Sequence, residues 1–509
     1  MLIRTFSAAT FGLETIQIDV EVSVHNRGLP SFDIVGLGDK AVAESRERVR
    51  AAIVNSRMEF PQKKIIVNLA PADIPKEGSF YDLPIALGIL SSFLSFSLPK
   101  DALFFGELSL DGSLRHTRGA FLLALFAKEA GYRSLFVPKD SANEAAVVED
   151  VNVYPVESLS QLILHCLGKQ KIQEVVYSAP SFDRAPVGEF DMGEILGQEQ
   201  AKRALEIAAA GGHNIFLVGS PGAGKTMLAK ALPGILPVLN PQERLEVTKI
   251  YSVAGHIPPG GGFVYVRQVR SPHHTASLVG LIGGGQTPQP GEVSLAHRGV
   301  LFLDEFTEFP RSVMEALRQP LEDGYITIAR SRGRVRYPAQ CMLVASANPC
   351  PCGYFGHPSK QCLCTPVQVA RYHKRISGPI LDRIDLHVNV PPVDLRELEE
   401  NQKASQFLEQ SGSIRQRVEL ARSIQRKRFA TEGIHTNAEM RNNQVKKHCA
   451  ISLEGDRLLQ QAGEKFQLSA RSYIKMLKIA RTIADLEGAS DITLAYLAEA
   501  LQYRPKVSV

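Results

Sequence analysis

The sequence predicts an α/β protein in three parts: an N-terminal α+β unit, a central three-layer α/β domain, and a C-terminal helical unit. Three observations lead there. Residues 191–395 alternate strand-like and helical patterns, the signature of a parallel sheet covered on both faces. Residues 1–168 alternate short β-like runs with helical ones, and beyond Pro391 and Pro392 the chain is charged and helical with no strand-like run. A length of 509 residues, at about 150 per domain, also suggests three domains.

Composition narrows the class. Apolar residues make up 44% and charged residues 22%, enough for several cores, and 40 Gly with 30 Pro exclude collagen-like or largely disordered chains. The net charge of +5 is too small to announce a nucleic-acid binder, so any such case must come from local clustering. The longest charge-free apolar stretch, Leu83 to Pro99, carries two prolines, a glycine and four serines. It is too short and polar to span a membrane and reads as a buried helix. The N-terminus makes a poor signal peptide. A soluble, cytoplasmic protein without membrane contact is expected.

In order along the first unit, Gln17 to Val22 alternate at period two, Ala41 to Asn55 repeat as a helix, and Lys64 to Leu69 read as a buried strand. A strand–helix–strand passage follows at Phe104–Leu110, Phe121–Ala130 and Ser134–Val137. Residues 169–190 turn polar and irregular, with Pro180, Pro186 and Gly188, and read as a linker. The central domain is placed at 191–395 and the helical unit at 396–509.

The strongest motif lies in the central domain. Gly219, Ser220, Pro221, Gly222, Ala223, Gly224, Lys225 and Thr226 match the phosphate-loop pattern in full, after the apolar strand Asn214–Val218 and before a helix start. Glycines let backbone N–H groups face a phosphate, and the helix N-terminus adds partial positive charge. Lys225 is placed to bridge the β- and γ-phosphates of ATP, and Thr226 to ligate Mg²⁺. Gly299 to Glu305 supplies a second feature: an apolar strand whose end carries Asp304, for Mg²⁺, and Glu305, for the attacking water. A third strand, Met342 onward, ends in Asn348, whose amide suits the water or the γ-phosphate; a turn-initiating Asn before Pro349 is the alternative.

This order of motifs resembles the AAA+ ATPases, and within them the magnesium-chelatase-like and MCM-like branch. The resemblance makes Arg383, in the run from Leu381 to Asp385, the counterpart of an arginine finger. It makes Arg471, opening a C-terminal helix, the counterpart of a sensor-two arginine. A finger acts on a neighbour's nucleotide, so the resemblance implies a ring, a homo-hexamer. Either arginine alone could equally be a surface ion-pair residue.

Seven cysteines in a cytosolic chain read as thiols or metal ligands. Cys350, Cys352, Cys362 and Cys364 form two C-x-C pairs nine residues apart, a set that suits a structural Zn²⁺ with no open position. Four thiols gathered by chance are the alternative. Basic residues cluster at Arg330, Arg332, Arg334 and Arg336, on two β-like runs around Gly333 that read as a hairpin. It falls where MCM-like proteins carry a pore hairpin, where arginines would grip DNA phosphates without reading sequence. A solvated hairpin is the other reading. Residues 253–289, with Arg267, Arg270, His273 and His274, resemble the helix-two insert of the same branch; no metal is assigned to the histidines. Arg415, Arg417, Arg422, Arg426, Lys427 and Arg428 suggest a basic helix face, for nucleic acid or for solvent.

In the first unit, Val67 to Ala86, with Gly106 to Leu114 and Gly131 to Lys139, resembles the Lon protease catalytic domain and its ribosomal-S5-like fold. Asp82 occupies the position of Lon's serine and the lysine is replaced near Ala120, so no proteolysis is expected. Together, the degenerate Lon-like unit, chelatase-like AAA+ module, C-x-C pair and helical lid resemble the bacterial YifB/ComM type of magnesium-chelatase-like protein. That resemblance implies a hexameric, ATP-driven DNA motor promoting branch migration when incoming DNA recombines during natural transformation. A chelatase-type motor that remodels a partner protein for metal insertion is the second reading.

Overall fold

The computed structural model describes residues 2–505 apart from 37, 39, 75, 77, 95, 179–187, 286, 287, 331, 332 and 393–408. Residues 179–187 of the expected linker, the boundary between 395 and 396, and Arg332 lie outside the described residues.

In the N-terminal unit, strands Leu2–Phe11 and Glu14–His25 form a hairpin, with Leu2 opposite Ser23 and Phe11 opposite Glu14. Lys64–Ala70 pairs antiparallel with the second strand, and Ser31–Val35 pairs parallel with Lys64–Ala70. Period-two alternation buries Ile18, Val20, Val22 and Val24 on one face. That face packs with helices Lys40–Asn55 and Asp82–Ser91. A second, parallel sheet joins Ala102–Phe104, Ser134–Pro138 and Asn152–Val156.

Two expectations need correction here. The apolar stretch beginning at Leu83 stays helical only to Ser91. The hydroxyls of Ser91 and Ser92 donate to the carbonyls of Gly88 (3.2 Å) and Ile89 (2.6 Å), and such local bonds compete with continuing helix. Phe104–Leu110 is not one strand but two short ones, Ala102–Phe104 and Glu107–Leu108, in different sheets. Between them the Gly106 N–H turns to the Phe80 carbonyl at 2.9 Å, which breaks the ladder.

The central domain carries a five-stranded sheet in the order Val269–Arg270, Val300–Leu303, Met342–Ala347, Ile215–Gly219 and Leu386–Val390. Every neighbouring pair is parallel. Val300 to Leu303 and Met342 to Ala347 are buried throughout, as strands covered on both faces must be. Beyond residue 408 the described chain forms helices Ser411–Arg428, Asn442–His448, Leu453–Phe466, Ala470–Leu486 and Leu494–Gln502. Their apolar faces share one core with Leu217, Val344 and Leu386 of the sheet.

The helix Ser411–Arg428 does not present the basic face that its charges suggested. Arg422 is buried and donates twice to the Ala209 carbonyl. Arg428 grips Asp485, Arg417 pairs with Glu206 and Glu409, and Arg415 reaches the Gly234 carbonyl. Only Arg426 and Lys427 of the six are exposed. A charged face read from sequence has a sign but no direction, and here it points into the domain interface.

Among the described residues the N-terminal unit meets the central domain at several places, including Asn143, which donates to the Gly260 carbonyl at 3.1 Å, and the Phe121 and Phe263 rings, 5.8 Å apart. Ser252, on helix Pro241–Ala254, donates to the buried Glu144 at 2.5 Å. The arginine-bearing hairpin, Tyr325–Arg330 paired with Gly333–Pro338, lies against the turn between the first two strands. A Cβ on Gly12 would overlap Val335 Cγ1, and one on Gly333 would stand 2.8 Å from Phe11 Cζ.

Candidate nucleotide site

Three neighbouring parallel strands place the expected residues together at their C-terminal ends. The loop after Ile215–Gly219 leads into helix Lys225–Ala231, whose N-terminus faces the loop's hollow. Gly222 and Gly224 take φ of +78° and +90°, and nothing lies within 4 Å of a Cβ built on either. Their conformation therefore needs glycine, and their missing side chains leave the hollow open to a phosphate.

Lys225 Nζ donates to the carbonyls of Gly219 (2.7 Å) and Ser220 (2.9 Å) and to Asn348 Oδ1 (3.2 Å). Burial pulls its ammonium below the usual lysine value, while the charges of Asp304 and Glu305 oppose that shift. The Thr226 hydroxyl donates to Asp304 Oδ2 at 2.8 Å. Ser346 donates to the other Asp304 oxygen, which also accepts the Glu305 N–H at 3.0 Å. Thr226 and Asp304 thus form a hydroxyl–carboxylate pair of the hard oxygen type that Mg²⁺ accepts. Glu305 sits at φ +49°, an uncommon conformation for a non-glycine residue, and its carboxylate is exposed beside the loop.

Sequence reading missed three residues that act on this set. Ser346 holds Asp304 from the next strand, and His274 Nδ1 stands 3.8 Å from Glu305 Oε2, with its ring centroid 4.0 Å from that of His273. Gln198 donates to the carbonyls of Ala223 and Pro391, tying the loop to the sheet's edge strand. Ser346 and Gln198 carry no motif, and His274, noted only as part of the helix-two insert, meets Glu305 only through tertiary placement. In the same insert, Arg267 is buried against Glu243 at 2.7 Å and Arg270 pairs with Glu292 at 2.6 Å, so both are structural here.

Arg383 and Arg471 do not join this cluster in the same chain. Both guanidinium groups meet one carboxylate, Glu322: Arg471 Nη2 lies 2.8 Å from Oε1, and Arg383 Nη2 bonds Oε2. The Arg383 carbonyl accepts from the Asn214 side chain at 3.0 Å, at the start of strand Ile215–Gly219. The phosphate loop leaves the far end of that five-residue strand, about 16 Å away.

The four cysteines come together as expected. Their sulfurs all lie within 4.8 Å of one another, with Cys350–Cys352 at 3.4 Å, Cys350–Cys362 at 3.7 Å and Cys352–Cys362 at 3.5 Å. Hydrogen bonds from the N–H groups of Tyr354 and Leu363 take the Cys352 thiol down to about 6. On the hairpin, Arg334 and Arg336 are exposed, and Arg336 stacks 3.4 Å above the Tyr325 ring. The side chain of Arg330 lies outside the described set.

Comparison with known proteins shows the family. Residues 191–398 match the family model described as magnesium chelatase, subunit ChlI. Residues 20–141 match subunit ChlI of Mg-chelatase, and 408–504 match the ChlI C-terminal model. The competence protein ComM of Haemophilus influenzae is 41% identical over 508 residues, covering 99% of this chain and 97% of that protein. The chain belongs to the YifB/ComM family of magnesium-chelatase-like AAA+ proteins. YifB of Salmonella typhimurium is 41% identical over 499 residues, covering 97% of this chain and 96% of its own. Similarity to chelatases themselves is more distant. The magnesium-chelatase 38 kDa subunit of Rhodobacter capsulatus is 26% identical over 178 residues, 31% of this chain and 50% of that protein. No described helix of this family member is long and apolar enough to cross a membrane.

Proposed function

We propose that this chain is an ATP-hydrolysing motor that moves DNA, assembled as a homo-hexameric ring and acting on recombination intermediates during natural transformation. The observation that carries the reading is the convergence of Lys225, Thr226, Asp304, Glu305 and Asn348 at the ends of three adjacent parallel strands. Backbone N–H groups and Lys225 would hold the triphosphate. Thr226 and Asp304 would hold Mg²⁺, which when bound neutralises charge on the transferring phosphoryl group. Glu305, kept in place by its backbone and by His274, would orient the attacking water.

The arginines support a ring. Arg383 is anchored at the opposite end of the strand from its own phosphate loop, a span longer than its side chain, so a nucleotide it reaches belongs to another protomer. Arg471 shares Glu322 with Arg383 and would work on that same neighbour. DNA enters through the exposed Arg334 and Arg336 of the hairpin and through likeness to a protein called a competence protein. We read the N-terminal unit as a Lon-like scaffold without protease chemistry, because Asp82 is buried and committed to Arg48 at 2.8 Å.

The second reading, a motor that remodels a partner for metal insertion, draws on the distant likeness to the chelatase 38 kDa subunit. An ATPase assay with single-stranded, forked and four-way-junction DNA separates the two. Stimulation by branched DNA, with turnover lost in Lys225→Ala and Glu305→Gln, is the expected result. Turnover indifferent to every DNA would remove DNA from the account.

A further inference from the structure

The cysteine knuckle and the phosphate loop are in contact, and they share one short segment of chain. Asn348, which accepts from Lys225 Nζ at 3.2 Å, stands two residues before Cys350. The Pro349 carbonyl between them is held by His373 Nε2 at 2.8 Å. Gly353, the residue after Cys352, turns at φ +82° directly over Pro221 of the loop. A Cβ there would meet Pro221 Cδ at 2.5 Å and Cγ at 2.6 Å. Residues 348–353 therefore carry two of the four sulfurs and two of the loop's supports.

The sulfur set fits an ion. A tetrahedral site with Zn–S bonds of about 2.3 Å has edges of about 3.8 Å; Cys350, Cys352 and Cys362 stand 3.4 to 3.7 Å apart, and Cys364 lies within 4.8 Å of each. A disulfide would need about 2.0 Å, so these thiols are spaced for a shared cation. Residues 350–364 form no helix or strand of their own. With no ladder to fix them, their geometry depends on what joins the sulfurs.

We propose that a zinc ion held by Cys350, Cys352, Cys362 and Cys364 braces residues 348–353 and thereby sets the affinity of the phosphate loop for ATP. The inference rests on the reading of that loop as an ATP site. Without the ion, Gly353 no longer backs Pro221, and Asn348 no longer stands fixed beside Lys225. Linkage makes the effect reciprocal: nucleotide tightens metal binding by the same factor that metal tightens nucleotide binding.

The test uses the full chain. Elemental analysis should find about one zinc per chain, and a fluorescent ATP analogue reports nucleotide affinity. Stripping the metal with a mercurial and chelator, then restoring the thiols, should raise the analogue's Kd about tenfold or more; added zinc should reverse this. Gly353→Ala keeps all four sulfurs, so it should retain zinc and still bind the analogue more weakly. Purified chain without metal, or stripped chain with Kd within twofold of the loaded form, overturns the proposal. A zinc-loaded chain that binds no analogue at all overturns the ATP reading, and this one with it.

Discussion

Glu322 offers a quantitative test of where the two arginines work. It pairs with Arg471 at 2.8 Å and with Arg383, and the hydrogen bond from Arg471 and both positive charges lower its carboxyl below the usual range. If both arginines serve a neighbour's nucleotide, each must leave Glu322 when the ring closes. Side-chain exposures of 42% for Glu322 and Arg471 and 15% for Arg383 place both pairs in the partly screened class. Each is then worth about 0.5–1 kcal/mol, or about 1–2 kcal/mol together. Glu322→Gln keeps the volume and removes the charge, so assembly should no longer oppose that attraction. The protein concentration giving half-maximal ATPase, at fixed DNA, should fall about 5- to 30-fold. Plateau turnover should stay within twofold, and the gap from wild type should narrow as salt screens the pairs. An unchanged midpoint, or a plateau that collapses, would refute the reasoning: Glu322 would then be holding the arginines in their working geometry.

Other expectations follow from the same contacts. Arg334→Ala with Arg336→Ala should weaken binding to all single-stranded sequences alike and reduce the salt slope by about 1.4, leaving DNA-free ATPase intact; fluorescence anisotropy across a salt series checks this. Burial would push the Glu246 carboxyl up, but the hydrogen bond from His297 and the charge of Arg298 prevail and take it to about 2. Its folded value is thus depressed, so its contribution to stability is complete above about 4.5 and is lost as pH falls towards 2. Glu246→Gln should flatten that limb of an acid denaturation curve. Asp82→Ser leaves Arg48 and the Leu108 N–H without their carboxylate, which should cost about 3 kcal/mol in chemical denaturation. The variant should also stay unreactive towards a serine-hydrolase probe.

The nucleotide site was legible because its chemistry is written in contiguous runs. Gly219 to Thr226 needs no tertiary knowledge, and Asp304 with Glu305 ends a strand whose four apolar residues already imply burial. The four cysteines were legible for the same reason. Glu322, Ser346 and His274 were not, since each is a single polar residue whose role exists only once the fold brings it to a partner. The misread helix Ser411–Arg428 shows the opposite failure. Its charges are plain, but Glu206 and Asp485, which draw Arg417 and Arg428 inward, lie 211 and 57 residues away. Leu83 to Pro99 failed on a local competition, serine hydroxyls against the helical ladder, that apolar patterning does not register.

The seat between the first β-turn and the arginine hairpin has a mechanical consequence. Gly12 fits against Val335 with no space for a methyl group, and Phe11 covers Gly333 near the hairpin's end. A displacement of that hairpin along its length would therefore drag residues 11 and 12, and with them the first two strands that their turn joins. The amino-terminal unit is thus coupled to the hairpin, and any shift of the strand that carries Arg334 and Arg336 would be felt at the turn of residues 11 and 12.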